Sequence, residues 1–314
     1  MGEIVKRAGL VVGRKKRRKT APYSAPLAHA EDCNRVWCAD FNGWFRSGDG
    51  ERIDPLTISD AWSRYLLPCQ AVAKTDTQRV RAIFEAAFRE YGMPQAIRTD
   101  NGSPFASTAL AGLSRLAVWW LKLGIVPERI EAGHPEQNGR HERMHRTLKQ
   151  EVAMPPAENR RAQQRELDRF RLEYNQVRPH EGWGMQTPAS VYEPSPREYP
   201  RRVPEVEYPA TMLVRSVKSH GVFRWQKHDV FLSEVLWGER IGLLPRDARW
   251  FTIYFAQLPL AEFDSQHRKV VPLRPTAGFD RDEAGEGEAS PSPAPHPLAG
   301  AGKENVKVSG MCPV

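Results

Sequence analysis

RVWCADFNGWF, residues 35–45, is apolar and aromatic after Arg35, save for Asp40 and Asn42. A run of this kind reads as a strand of a buried sheet. A lone carboxylate in the middle of a first, buried strand is costly unless something pairs with it. Asp40 is therefore the first residue that invites a chemical explanation.

The segments that follow fix the class. RIDPLTISD (52–60) and AWSRYLLPC (61–69) read as two more strands, which gives an antiparallel meander. Asp76 or Thr77 can cap a helix whose Val80, Ile83, Phe84, Ala87, Phe88 and Tyr91 share one face. GMP at 92–94 stops it. QAIRTD (95–100) is a short strand. A second helix is predicted from about Ser107 to Leu123, with Leu110, Leu113, Ala117, Trp120 and Leu121 as its stripe and Gly124 at its end. IVPERIEA (125–132) is another strand, and HPEQNGRHERMHRTLKQE (134–151) a helix after a His-Pro turn. Three strands, helix, strand, helix, strand, helix is an α/β order, a mixed sheet with helices on its faces.

The flanks differ in character. Residues 1–30 hold one short helical run, IVKRAGLV, the cation run RKKRRK (14–19) and a Pro- and Ala-rich linker. Residues 31–156 form the core just described, and 157–200 a helical extension with the loop VRPHEGWGMQTP. Residues 201–275 break into short β pieces separated by turn residues, as in a small β-rich, barrel-like domain. Trp225, Trp237 and Trp250 read as its core, while Lys218, Arg224 and Lys227 are cations it could offer to DNA. Residues 276–314 are Gly, Ala, Pro, Ser and charge, the composition of a disordered tail.

Composition narrows the partners. The 314 residues carry 46 Lys and Arg against 38 Asp and Glu, a net charge of +8. That balance favours a polyanion, above all nucleic acid. Clustered cations displace counterions from DNA, so Arg14, Lys15, Lys16, Arg17 and Arg18 are candidate phosphate contacts. Cys33, Cys38, Cys69 and Cys312 have neither a secreted disulfide pattern nor zinc-finger spacing, which points to reduced thiols in the cytoplasm. No apolar run reaches the ~18 residues of a membrane span, and the N-terminus lacks secretory and myristoylation signals.

Asp100 ends QAIRTD, and a strand end is where side chains leave a core for a cleft. Asp-Asn-Gly is also good turn chemistry. Two strand-borne carboxylates side by side repel each other. A divalent cation resolves that, and hard oxygen ligands suit Mg²⁺ or Mn²⁺. Two such ions can clamp the attacking and leaving oxygens of a phosphodiester. Asp54 and Asp60 lie at turns and read as surface or capping residues.

WCADFNGWF, IRTDNGSPFAS, GIVPERIEAGHPEQNGRHERMHRTLKQE and YNQVRPHEGWGMQTPASVYEPS together resemble the insertion-sequence transposases with a retroviral-integrase-type catalytic core. The resemblance covers roughly 35–200 in detail. It implies a ribonuclease-H-like fold with a mixed five-stranded sheet flanked by helices. It also implies an Asp-Asp-Glu metal triad that cleaves and joins strands of duplex DNA, at element ends and in the target, as a homo-oligomer on that DNA.

Which glutamate completes the triad is a matter of register. The family usually places ~35 residues between the second Asp and the Glu. Counting alone selects Glu136, with 35 residues between it and Asp100. The family pattern also has a glycine three residues before the acid and an amide side chain just before that glycine. Gly139 and Asn138 fit only if the acid is Glu142. His145, Arg146 and Lys149 share the helix face of Glu142 and read, with Asn138, as a DNA-facing strip. The expected triad is Asp40, Asp100 and Glu142. Asn175, Arg178 and His180 are expected to order the later loop against the core.

The family usually carries helix-turn-helix units ahead of the core, whereas here EIVKRAGLVVGRKKRRK resembles the last helix and basic tail of one. A truncated, non-catalytic DNA-binding remnant or regulator is therefore the alternative expectation.

Overall fold

The computed structural model describes residues 30–130 and 139–273, the side chains of Gly139 and Arg140 excepted. The basic run at 14–18, Glu136, Asn138 and the 276–314 tail lie outside these residues.

β1 (Val36–Phe41), β3 (Arg52–Asp60) and β4 (Leu66–Val72) form the meander, with the two-residue β2 (Phe45–Arg46) extending β1 along β3. β5 (Ala96–Thr99) and β6 (Val126–Arg129) then add in parallel beside β1. The long strands lie in the order β4-β3-β1-β5-β6, so the sheet is the expected mixed one, with five long strands plus β2.

Period-two alternation gives this sheet two different faces. Trp37, Ala39, Leu56, Ile58 and Ile97 point to one side. There they meet Val80, Phe84 and Phe88 of α1 (Thr77–Tyr91) and Leu116 and Trp120 of α2 (Arg115–Lys122). Asp76 caps α1 by accepting from the Arg79 N–H at 2.9 Å. The other side is covered by α3 (Gly139–Val152) and α4 (Arg160–Gln176). Met144, Leu148 and Val152 of α3 pack with Leu167, Phe170 and Tyr174 of α4 over Leu66 and Cys69. Asn175 fixes α4 to β4: its side chain accepts from Leu66 N–H at 2.8 Å and donates to Leu66 C=O at 2.9 Å.

In the first sheet and its helices the structure departs from the sequence reading at several points. The second helix starts at Arg115, not Ser107, because Ala111 and Gly112 take positive φ and Ser114 caps a new start by accepting from the Ala117 N–H at 3.1 Å. β4 starts at Leu66, because residues 61–65 form a turn around Asp60. Asp60 is fully buried rather than at the surface, accepting from Asn34 N–H, Ser63 N–H and the Ser63 hydroxyl, each at 2.7 Å. Asp54 is buried as well.

Residues 213–272 form an antiparallel sheet, β13-β12-β11-β10-β7 (Lys269–Pro272, Leu258–Asp264, Trp250–Phe255, Arg240–Pro245, Leu213–Ser216), and a hairpin of β8 (Val222–Trp225) and β9 (His228–Phe231). Phe223 and Trp225 of the hairpin meet Phe251 and Phe263 of the sheet. Trp225 is core as expected, but Trp237 is 57% exposed and Trp250 only partly buried. The apolar cluster of this region is continuous with that of the first sheet, and Lys122 pairs with Glu239 at 2.9 Å.

Candidate active site

Asp40 and Asp100 come from neighbouring parallel strands. Ala39 lies opposite Thr99 in the β1–β5 register, and each acid is the next residue. The two carboxylates therefore leave the sheet at the same level. Phe41 and Phe105 tie the two strand exits together, with ring centroids 5.6 Å apart. Asp100 is also shaped by its turn: one carboxylate oxygen accepts from Gly102 N–H at 3.0 Å. A Cβ at residue 102 would sit 2.7 Å from the other oxygen, so the carboxylate needs glycine there.

Glu142 stands in the first turn of α3, with an exposed side chain. Its charge reaches Asp40. The Asp40 carboxyl is pushed up to about 7, first by burial, next by the charge of Asp100, with Glu142 and Asp54 adding smaller contributions. The hydrogen bond to Asp40 from the Phe41 N–H acts the other way. A carboxyl raised to near neutrality beside two other acids makes this a candidate functional site. Among the described residues these three do not close into a ready-made ligand cluster. They are nonetheless an all-carboxylate donor set that shares one field, the chemistry a hard divalent cation takes.

α3 is seated by Thr57, Ser59 and His141, which the sequence did not single out, and by His145, which it placed on the DNA-facing strip. Thr57 lies opposite Asp40 in the β1–β3 register and faces away from the apolar core. Its hydroxyl is 2.8 Å from His141 Nε2 and 2.6 Å from His145 Nε2, and the Ser59 hydroxyl is 2.9 Å from His141 Nδ1. A neutral His141 that accepts from Ser59 donates from Nε2 to Thr57. Burial lowers both imidazoles, His141 well below its ordinary value and His145 to about 4. His145 is therefore not on an exposed cationic strip: it is 8% exposed, neutral and turned to the sheet. At 3.8 Å from Asp40 its Nδ1 makes neither a hydrogen bond nor, uncharged, an ion pair. The alternation of Thr57 with Leu56 and Ile58, and the i, i+4 spacing of the two histidines beside Met144 and Leu148, were the available signals.

Arg146 and Lys149 are exposed on α3. The Lys149 amine comes near Gly43, where a Cβ would lie 3.7 Å away, so it stands over the loop that follows Asp40. In that loop Trp44 is 53% exposed, with the Arg52 guanidinium 5.0 Å from its ring centre.

Residues 30–135 and 123–188 each match a family described as integrase core domain, and together they run from residue 30 to residue 188. Residues 30–188 belong to the integrase core domain family. It is 28% identical over 188 residues to the insertion element IS407 uncharacterized 31.7 kDa protein of Burkholderia multivorans, covering 59% of this chain and 65% of that one. It is 30% identical over 157 residues to the insertion element IS476 uncharacterized 39.2 kDa protein of Xanthomonas euvesicatoria, covering 50% and 43%. The integrase-core chain thus spans less than two thirds of either curated relative. The HTLV-2 integrase catalytic core domain, solved with magnesium, aligns at a TM-score of 0.38 and 16% identity, covering 52% of this chain and 100% of its own. No helix among the described residues is long and apolar enough to cross a membrane.

Proposed function

We propose that this integrase core is an insertion-sequence transposase that cleaves duplex DNA at element ends and joins it to target DNA, with Asp40, Asp100 and Glu142 as its catalytic acids. The observation that carries the reading is that Asp40 and Asp100 leave neighbouring parallel strands at one level, close enough to Glu142 that burial and the two charges raise the Asp40 carboxyl to about 7. Three carboxylates from β1, the β5 exit and α3 are brought into one field on the polar side of the sheet, at a cost that folding alone does not require. Asp40, Asp100 and Glu142 are the residues that would hold Mg²⁺ or Mn²⁺, as one or two ions, which would supply Lewis-acid activation and charge neutralisation at the phosphodiester.

The rest of the work falls to the chain itself. Thr57, His141 and His145 seat α3 on β3 and so set where Glu142 stands. Gly102 fixes the Asp100 carboxylate. Lys149 and Arg146 hold the DNA backbone beside the acids. Water attacks a phosphodiester at the element end and frees a 3′ hydroxyl, which then attacks a target phosphodiester and expels the 3′ oxygen of the target strand. The protein acts as a homo-oligomer on DNA in the cytoplasm. Asn138 and the Arg14–Arg18 run, which lie outside the described residues, are proposed as further DNA contacts on the strength of the sequence.

Nicking of plasmid DNA in Mn²⁺ by wild type, Glu142→Gln and Glu136→Gln tests the assignment. Loss in Glu142→Gln with activity kept in Glu136→Gln is expected. Loss only in Glu136→Gln overturns the choice of acid. DNA binding without nicking by wild type, with full element ends supplied, overturns catalysis in favour of a binding remnant.

A further inference from the structure

We propose that a second cleft on the core, on the far side of α3 from Asp40, docks the backbone of the DNA flank beyond the scissile phosphate. The proposal rests on the DNA-cleaving role given above, which it extends by a second contact surface.

The cleft has a volume of about 730 Å³, and its lining includes Arg64, Arg143, Thr147, Tyr174, Arg178 and His180. Its three guanidiniums come from three elements: the β3–β4 turn, α3, and the chain just past α4. Glu181 is the one acid among the described lining residues. Pockets for small molecules are lined mostly by apolar groups. Three arginines with a threonine hydroxyl suit phosphate oxygens.

Two of the arginines are braced in place. Arg64 takes a left-handed φ of 65°, which is uncommon for a residue with a side chain, and its N–H donates to Asp60 C=O at 2.9 Å. Its Nη1 lies 3.3 Å from His180 Nδ1. Burial and the nearby Arg64 and Arg178 lower the His180 imidazole, which leaves it neutral and able to accept that bond. The guanidinium lies on Gly182, where any Cβ would collide with it. Arg178 pairs with Glu151 at 2.6 Å and lies 5.8 Å from the ring centres of both Phe170 and Tyr174. Side chains held this way lose little freedom on binding.

The exposed face of α3 links the cleft to the site. At the helical period, Lys149, Glu142, Arg146, Arg143 and Thr147 occupy one arc of α3. All but the half-buried Thr147 are exposed. A DNA backbone held by Lys149 and Arg146 beside the acids is handed along this arc to Arg143 and the cleft.

The test is binding of the full chain to fluorescein-labelled duplex DNA in EDTA, followed by anisotropy across a salt series. Arg143→Gln and Arg64→Gln are each expected to lower the slope of log affinity against log salt by about one, on element-end and scrambled duplexes alike. Arg89→Gln, on α1 across the sheet, is expected to leave the slope unchanged. An Arg143→Gln line that coincides with wild type overturns the proposal. So does an equal loss in Arg89→Gln. Arg143 is exposed, so its result decides even where Arg64→Gln disturbs the loop. Mn²⁺ nicking of the same duplexes separates the two readings: absent nicking with lowered slopes sinks catalysis alone, and nicking with unchanged slopes sinks the cleft alone.

Discussion

Thr57 and His145 meet at 2.6 Å, hydroxyl to Nε2, and His141 reaches the same hydroxyl at 2.8 Å. One β3 side chain thus anchors two turns of the helix that carries Glu142. Both imidazoles are buried and held neutral, so the unfolded chain takes up protons below pH 6.5 that the folded chain refuses. Stability is therefore lost as pH falls from 6.5 toward 4. For His145 the full difference is about 3 kcal/mol. In urea titrations, the gap between wild type and His145→Gln should shift in favour of the variant between pH 7 and pH 5. Parallel pH profiles for the two proteins would sink the idea that His145 is held neutral.

Asp40 has the opposite sign. Its carboxyl is raised from 3.8 to about 7, so the folded chain holds a proton that the unfolded chain has released. Stability falls as pH rises through that window, by about 4 kcal/mol at the limit. Asp40→Asn should match wild type in melting temperature near pH 4 and exceed it at pH 8 without divalent ions. Adding Mn²⁺ at pH 8 should then raise wild type more than the variant, because only the native acid set binds the ion fully. A melting-temperature difference that is constant from pH 4 to pH 8 would contradict both steps.

Asn175 satisfies the backbone N–H and C=O of Leu66 at once, and it is 4% exposed. Asn175→Ala leaves both groups buried without partners, at about 1–3 kcal/mol each before any relaxation. Chemical denaturation should show a loss of at least about 2 kcal/mol. Hydrogen exchange should show the Leu66 amide losing protection ahead of the β1 amides. Equal protection in variant and wild type would mean that α4 is fixed to β4 by its apolar contacts alone.

Much of this architecture was legible because local signals agreed. RIDPLTISD coincides with β3, and the α1 stripe and its Asp76 cap both hold. The α2 start was not legible, because Leu110 and Leu113 continue a helical stripe by chance while Ala111 and Gly112 break the backbone. Asp60 read as a turn residue, and it is one, but the turn is buried under Asn34, which no local window contains. His145 was placed on the wrong side of its helix for a related reason. It lies between the exposed arc of Glu142 and the buried arc of Met144 and Leu148. Only the partner strand, through Thr57, decides which arc it joins. Asp40 and Asp100 stood out because a charge in a strand and a charge at a strand end are both anomalies that packing cannot hide.

Gly102 separates the site from the fold most cleanly. A Cβ there would come 2.7 Å from Asp100 Oδ2 and 3.2 Å from Oδ1, both the far end of a side chain. The backbone has room, so the carboxylate gives way. Gly102→Ala should leave the melting temperature within about 2 °C of wild type, since a surface change of this kind costs about 0.5 kcal/mol or less. Plasmid nicking should nevertheless fall by about 100-fold, the scale of loss for a displacement of about 1 Å in a reacting group. A Gly102→Ala protein that nicks at the wild-type rate would show that the Asp100 carboxylate has no fixed place in the reaction. One that unfolds early would show instead that Asp100 serves its turn, as the Gly102 N–H bond at 3.0 Å by itself would allow.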